Sequence, residues 1–456
     1  MPTLTPFLFD RSRLATLRAR EEAMFLKRTP RSHFLREASR QHMPQGVPMA
    51  WMVSLNRFNP PFIRSAAGAV FTDVDGNDYL DFNVADLSMT MGYGPAPVVR
   101  AVSRQVLEGA QFLLPTEDAL VVCQLLAEQV GLPCWQFTLS ASGANIEVMR
   151  IARHITGREK IVVFDGHYHG HIDETLVSQG AEGVEHEQLG LPKGSASQTL
   201  ILPFNDLAAL EEVLARRDVA LVLTEPALTN CTLVRPTPGY LEGVRRLTAQ
   251  YGSLLCLDEA HTFQFAHGGL TGSWQLKTDF VVLGKGLGSG IAFALYGMTR
   301  EIAQHLEHFT DSDIGPPGIA TGGTLYASAL AVSVARACLE EVLTSDNYQR
   351  INHLGARLAN GLRRAFATHN LPWLAFQLGP RSGYCLTKEL PKNGAEANLS
   401  MDAEFIDCRR LFMANRGIWD GILSAGPQVS FVHTESDIDR YVDVATKFLE
   451  ELFSAK

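Results

Sequence analysis

Leu254-Leu255-Cys256-Leu257-Asp258-Glu259 and Phe280-Val281-Val282-Leu283-Gly284-Lys285-Gly286 are two short apolar runs. The first stops at a pair of acids, the second at a lysine between glycines. Two more runs share this form: Ile161-Val162-Val163-Phe164 leads into Asp165-Gly166-His167, and Ala220-Leu221-Val222-Leu223 leads into Glu225-Pro226. Short, continuously apolar runs are what strands look like when both faces of their sheet are covered, as in parallel sheets flanked by helices. Helical patterns fall between them, at 206–217 and 240–251, and the alternation predicts an α/β domain. In a parallel sheet all four strand ends lie on one edge, where open α/β sheets bind ligands. Two or three acids and one lysine are thereby gathered at a single rim.

On either side of this core the pattern changes. Residues 11–43 read as helix, ending near Met43-Pro44. The alternating runs around Asp75-Gly76-Asn77, within 70–82, read as a β-hairpin. Past residue 329, long helical patterns (329–343 and 347–369) precede strand-like pieces at 382–386 and 429–433, and a closing amphipathic helix covers 437–453. The expected division is an N-terminal segment (1–85) packing with the small domain, a large domain (86–328) and a smaller C-terminal α+β domain (329–456).

A chain of 456 residues, 46% hydrophobic and 20% charged, has the composition of a globular enzyme with a large core. A formal net charge of −9 gives no electrostatic case for nucleic acid or an anionic membrane. The seven cysteines are odd in number and none form a CxxC pair, so reduced thiols are expected. The first 28 residues carry scattered charges without a continuous apolar stretch, so no secretory signal is read there, and no apolar run nears the ~20 residues of a membrane span. A cytoplasmic enzyme is expected.

Lys285, flanked by glycines at a strand end, can approach a planar ligand without backbone collision; an exposed loop lysine is the competing reading. No GxxxxGK[ST] pattern precedes it, which sets a P-loop aside. Asp258 closes an apolar strand, where an unpartnered carboxylate is costly, and it is suited to hold a pyridine nitrogen protonated. Leu139-Ser140-Ala141-Ser142-Gly143 brings hydroxyls and small residues to a helix start, as a phosphate requires, although simple capping has the same appearance. The alternate histidines of His167-Tyr168-His169-Gly170-His171 invite a metal reading, but no further ligand stands at the right spacing. No metal is expected, and Tyr168 reads better as an aromatic lid on a flat ring.

With these residues in view the chain resembles the class III aminotransferases of pyridoxal-phosphate fold type I, in particular the branch of glutamate-1-semialdehyde aminomutase. The resemblance runs from about Ser32 to the C-terminus. It is carried by Met43-Pro44-Gln45-Gly46-Val47, Asp73-Val74-Asp75-Gly76-Asn77, Ala152-Arg153-His154-Ile155-Thr156-Gly157-Arg158, Tyr168-His169-Gly170-His171, Glu225-Pro226 with Asn230, Asp258-Glu259, Leu283-Gly284-Lys285 and Gly322-Gly323-Thr324-Leu325. It implies a large domain with a mostly parallel central sheet flanked by helices, plus the small domain. It also implies pyridoxal 5'-phosphate held by Lys285 as a Schiff base, with Asp258 on the pyridine nitrogen and Tyr168 stacked on the ring. Ala260 would pack on the other face, His261 beside the ring hydroxyl, and Glu225 and Asn230 nearby. Counting without gaps from Thr156-Gly157-Arg158 puts the phosphate cup at Ser140-Ala141-Ser142. Thr324 would reach the phosphate from the neighbouring subunit, making a homodimer with shared sites. The implied activity is transamination between a small-molecule amine donor and a carbonyl acceptor, with an aminomutase, racemase or decarboxylase as the alternative on the same scaffold. A non-catalytic binding protein would predict loss of Lys285 or Asp258, and a Ser-His-Asp hydrolase lacks its GxSxG elbow.

Two departures bear on substrate. Where relatives that bind a carboxylate often carry an arginine, this chain reads Val47-Pro48-Met49-Ala50-Trp51-Met52-Val53, and a second expected arginine is missing from Leu423-Ser424-Ala425-Gly426-Pro427-Gln428. A guanidinium is the usual partner of a carboxylate. Its absence favours a bulky, apolar or aromatic amine, with Trp51 and Met52 lining the pocket; the other reading is that these residues merely pack and Arg57 or Arg381 takes the carboxylate.

Overall fold

The apolar runs become a seven-stranded sheet in a computed structural model that describes residues 9–180, 183–187, 189–192, 194–307, 319, 321–422 and 426–453. In chain order its strands are β1 (Cys134–Thr138), β2 (Lys160–Phe164), β3 (Thr199–Leu202), β4 (Val219–Thr224), β5 (Leu254–Asp258), β6 (Phe280–Leu283) and β7 (Ala294–Met298), and in space they run β1-β7-β6-β5-β4-β2-β3. Neighbours pair in parallel from β6 to β3, whereas β7 is antiparallel to both β6 and β1. The expected mostly parallel sheet is therefore present, and β4 and β6 are buried along their whole length.

Alternation along β5 explains why helices must cover both faces. Cys256 joins a core with Ala144, Val148, Ile151 and Ala152 of the helix Ala141–Thr156. Leu255 and Leu257 point the other way, where Leu241 and Val244 of the helix Tyr240–Tyr251 line the same cavity with them. The helix Ala141–Thr156 buries residues at i, i+4, i+7 and i+8, and each fully buried aliphatic side chain contributes ~1.5–3 kcal/mol. It starts at the Ser140 cap and stops at Gly157, which takes a left-handed φ of 65°.

The chain divides into two units. One comprises Ala96–Tyr348 and Pro391–Asn398, the other Met1–Pro95, Gln349–Leu390 and Leu399–Lys456. The larger unit thus runs on past the expected limit of 328, because the helix Ala329–Ala337 packs on Ala96–Glu108 and Glu117–Val130. The expected continuous helix over 329–343 gives way to a π-turn at Cys338–Val342, where Leu343 N donates to Cys338 O at 2.8 Å.

In the other unit the N-terminal helical stretch is two helices, Arg11–Arg28 and Pro30–Ser39. Pro30 cannot donate to the preceding turn, so the first helix ends and a second begins on the proline. The hairpin is present as Val70–Asp73 paired with Asp78–Asp81. Its turn is held by Asp73, which accepts from Asp75 N, Asn77 N, Asn77 Nδ2 and the Tyr79 hydroxyl at 2.8–3.0 Å. Asp75 in turn accepts from Arg31 N (2.7 Å) and Ser32 N (3.0 Å), capping the second helix from across the sequence. Asp73→Ala removes the acceptor of four donors and is expected to lower stability by about 2–4 kcal/mol, read as the shift of the urea midpoint. The strand expected at 429–433 is not formed. Ser430 N and Oγ bond back onto His433 Nδ1 at 2.8 and 2.9 Å, which turns the backbone away from a ladder, and only Gln428 bridges Arg381. Residues 423–425 of the arginine-poor stretch lie outside the described residues.

Candidate active site

Because β6, β5, β4 and β2 are parallel neighbours, the residues that follow them meet at one edge. Asp258 ends β5 opposite Val282 of β6, three residues before Lys285. Its side chain is 4% exposed and fully engaged. Oδ2 accepts from His169 Nδ1 at 2.9 Å and from Asn145 Nδ2 at 2.8 Å, while Oδ1 accepts from Ala260 N at 3.0 Å. Burial pushes the carboxyl up, but the bonds from His169, Ala260 and Asn145 outweigh it and hold the group below the usual aspartate range. These bonds favour the ionised form of a buried carboxylate.

His169 and Asn145 are the functional residues that sequence reasoning missed. The signal was available: a carboxylate at the end of an apolar strand needs donors, and in His167-Tyr168-His169 the alternate positions flank the aromatic one. Tyr168 is half-buried. The rings of His167 and His169 stack at 5.2 Å, and both nitrogens of His167 face carbonyl oxygens, Phe164 O at 2.8 Å and Thr175 O at 2.9 Å. These histidines are committed to carboxylate and backbone. His169→Phe removes a charge-assisted donor, so the Asp258 carboxyl rises. The acid limb of the rate–pH profile is then expected to move to higher pH, with the rate at neutral pH falling by roughly 10-fold or more.

Glu225, directly after β4, is 3% exposed, and burial pushes its carboxyl up to about 7. It bonds to the hydroxyl of Thr229, which also lies 2.6 Å from His261 Nδ1. Asn230 Nδ2 approaches the other oxygen of Glu225 at 3.5 Å.

The stretch read as suited to a phosphate lies at the start of the helix Ala141–Thr156. Ser140 Oγ accepts from Gly143 N at 3.1 Å, and Ser142 Oγ accepts from His171 N at 3.0 Å. Gly170 is essential to that approach: its φ is 103°, and a Cβ there would sit 2.2 Å from Ser142 Oγ. Of the two readings of Ser140, these contacts show the cap.

Lys285 has a φ of 51°, uncommon for a residue with a Cβ, and it opens a single 3₁₀ turn, Lys285–Gly288. The carbonyl of Gly284 before it accepts from Gln264 Nε2 at 3.2 Å. Ala260 follows the acid pair and is half-buried.

Thr324 is exposed, its carbonyl accepting from Gln111 Nε2 at 2.7 Å. Trp51 and Met52 belong to the other unit, on the short helix Trp51–Leu55, 39% and 40% exposed. Of the two arginines considered for a carboxylate, Arg57 pairs with Asp407 at 3.4 Å and Arg381 is 1% exposed.

The residues present suit pyridoxal phosphate. A lysine amine, a buried carboxylate able to face a protonated ring nitrogen, and a helix N-terminus with two hydroxyls could each take one part of it. Among the described residues no group of three His, Cys, Asp or Glu side chains could hold a metal, and no helix is long and apolar enough to cross a membrane.

Comparison with known proteins agrees with this geometry. The family model described as aminotransferase class-III matches residues 54–374. A glutamate-1-semialdehyde 2,1-aminomutase of Halalkalibacterium halodurans is 33% identical over 427 residues, covering 90% of this chain and 96% of that protein. The crystal structure of a glutamate-1-semialdehyde aminomutase from Pseudomonas aeruginosa PAO1 superposes with a TM-score of 0.92 at 35% identity, covering 97% of this chain and 99% of the other. An omega-transaminase from Sphaerobacter thermophilus superposes with a TM-score of 0.85 at 26% identity, covering 92% and 97%.

Proposed function

This chain belongs to the class III aminotransferases, which are pyridoxal-phosphate enzymes of fold type I, and on that premise we propose that it is an aminomutase, moving an amino group between adjacent carbons of one substrate. The observation that carries the chemistry is the buried, triply hydrogen-bonded Asp258 beside the Lys285 turn. The preference for a mutase over a transaminase with separate donor and acceptor is supported by the full-length likeness to enzymes named for that reaction.

The bound cofactor supplies an electron sink for the bonds at the substrate carbon. Lys285 Nζ would be the amine that anchors the cofactor, and the same amine would hold and return the proton of the substrate carbon. Asp258 would keep the ring nitrogen of the bound cofactor protonated. Ser140, Ala141 and Ser142 would hold its phosphate at the helix start, and Tyr168 and Ala260 would pack on the two faces of its ring. Asn230 and His261 would border its ring hydroxyl, with Glu225 bonded to Thr229 behind them.

The working form is a homodimer in which Thr324 completes the phosphate site of the partner. Support comes from the exposure of Thr324 together with Leu325, Leu113 and Leu114, which are 55%, 68% and 71% exposed. An apolar strip of this kind beside a site residue suits a subunit contact.

A direct assay decides the reaction. Glutamate 1-semialdehyde, given to the holoenzyme without any other amine or carbonyl compound, is expected to be converted to its 1-amino isomer through many turnovers. Conversion only when a keto acid or aldehyde acceptor is supplied would overturn the mutase reading in favour of transamination. One observation favours that second reading with an apolar amine: Trp51 and Met52 stand exposed where relatives often carry a carboxylate-binding arginine. Trp51→Ala would then raise KM for aromatic amines and leave that for the semialdehyde unchanged.

A further inference from the structure

Glu225, Thr229 and His261 form a continuous line of side chains within the larger unit, all buried. The two oxygens of Glu225 are not equivalent. Oε1 faces N–H donors, the Thr229 amide at 3.3 Å and Asn230 Nδ2 at 3.5 Å, neither of which can accept a proton. Oε2 faces the Thr229 hydroxyl, which can donate or accept. A proton on Glu225 therefore sits on Oε2, and the Thr229 hydroxyl must reverse when it arrives.

That reversal is transmitted. With Glu225 ionised, Thr229 donates to Oε2, and its oxygen accepts from His261 Nδ1–H, leaving Nε2 of the neutral imidazole as an acceptor. With Glu225 protonated, Oε2–H donates to Thr229, Thr229 donates to Nδ1, and the imidazole proton resides on Nε2. We infer that Thr229 is a positioning residue that passes the protonation state of Glu225 to His261, so that His261 presents Nε2 as an acceptor in one state and as an N–H donor in the other.

Two other ionisable groups act on Glu225. His169, from the loop after β2, favours its ionised form, and Asp258, at the end of β5, opposes it. Burial is the larger influence and brings the carboxyl to about 7, where the reversal falls in a workable pH range. With the ring hydroxyl placed beside His261, the line would match an acceptor to a phenol and a donor to a phenolate. This consequence rests on the cofactor reading; the hydrogen-bond line itself does not.

The test uses the full chain without cofactor, so failure of the reaction assigned above leaves it unaffected. ¹⁵N chemical shifts of the His261 ring report its tautomer directly. Across roughly pH 6 to 8 the wild type is expected to pass from the Nε2–H form to the Nδ1–H form as pH rises. Thr229→Val should abolish the crossover, and Thr229→Ser, which keeps the hydroxyl, should retain it. Glu225→Gln should hold the Nε2–H form throughout, since the amide nitrogen donates where Oε2 was. A single wild-type tautomer at every pH, formation of imidazolium in place of the crossover, or a crossover that survives in Thr229→Val would overturn the inference.

Discussion

Lys285→Ala is expected to reduce turnover by at least ~10³-fold, because in the proposed mechanism one change removes both the covalent anchor and the proton carrier. The fold should survive. The side chain is half-buried, and alanine inherits the same left-handed backbone, so any added strain is small. Stability should therefore stay within ~1 kcal/mol of wild type. Three measurements check this together: steady-state rate, thermal unfolding, and peptide mapping after borohydride reduction of the loaded protein. The label should fall on Lys285 in wild type, and the visible band of lysine-bound cofactor should vanish in the variant. Lys277→Ala, at an exposed lysine on the far side of β5, serves as the control with unchanged rate. Label on any other lysine, or a variant retaining a tenth of the activity, would remove Lys285 from its assigned place.

Asp258→Asn carries the second large effect and couples rate to stability. The carboxylate takes three donors, two on Oδ2 and one on Oδ1. An amide has only one accepting atom, so its NH₂ must face either Ala260 N–H or the His169 and Asn145 pair. The charge proposed to face the ring nitrogen is lost as well. Breaking a buried charge pair costs about 3–5 kcal/mol of stability, and a loss of that size in the transition state corresponds to roughly 10²–10⁴-fold in rate. The acid side of wild-type stability tests the same group. Since the folded carboxyl lies below the usual range, its ionised form stabilises the fold above the ordinary aspartate pKa, and that contribution is lost as pH falls through the lowered folded value. Wild type and Asp258→Asn should therefore converge in stability at strongly acidic pH and diverge above it. Parallel stability curves at all pH values would show that the carboxylate is not the stabilising species.

Most of the larger unit could be read along the chain, for a local reason. A buried parallel strand must be apolar at every position, so 161–164, 220–223, 254–257 and 280–283 announced themselves, and their endings pointed to the rim. The hairpin was legible through Asp75-Gly76-Asn77. Where the reading failed, a backbone alternative had competed with periodicity. Pro30 split one helical pattern, a π-turn at Cys338–Val342 closed another early, and Ser430 with His433 folded an apparent strand onto itself.

Lys285 and Asp258 show where the boundary falls. The sequence by itself determined the sheet and the edge where its polar strand endings gather, with the candidate lysine and acid among them, because burial on both faces and a polar strand ending are written in consecutive residues. Only the tertiary structure decided who holds the acid. His169 and Asn145 lie 89 and 113 residues from Asp258, and Thr229 is 32 from His261. Hydrogen-bond partners at such separations leave no period or spacing to read. They are chosen when the sheet brings separate loops together and each buried polar atom must find a donor or acceptor within about 3 Å.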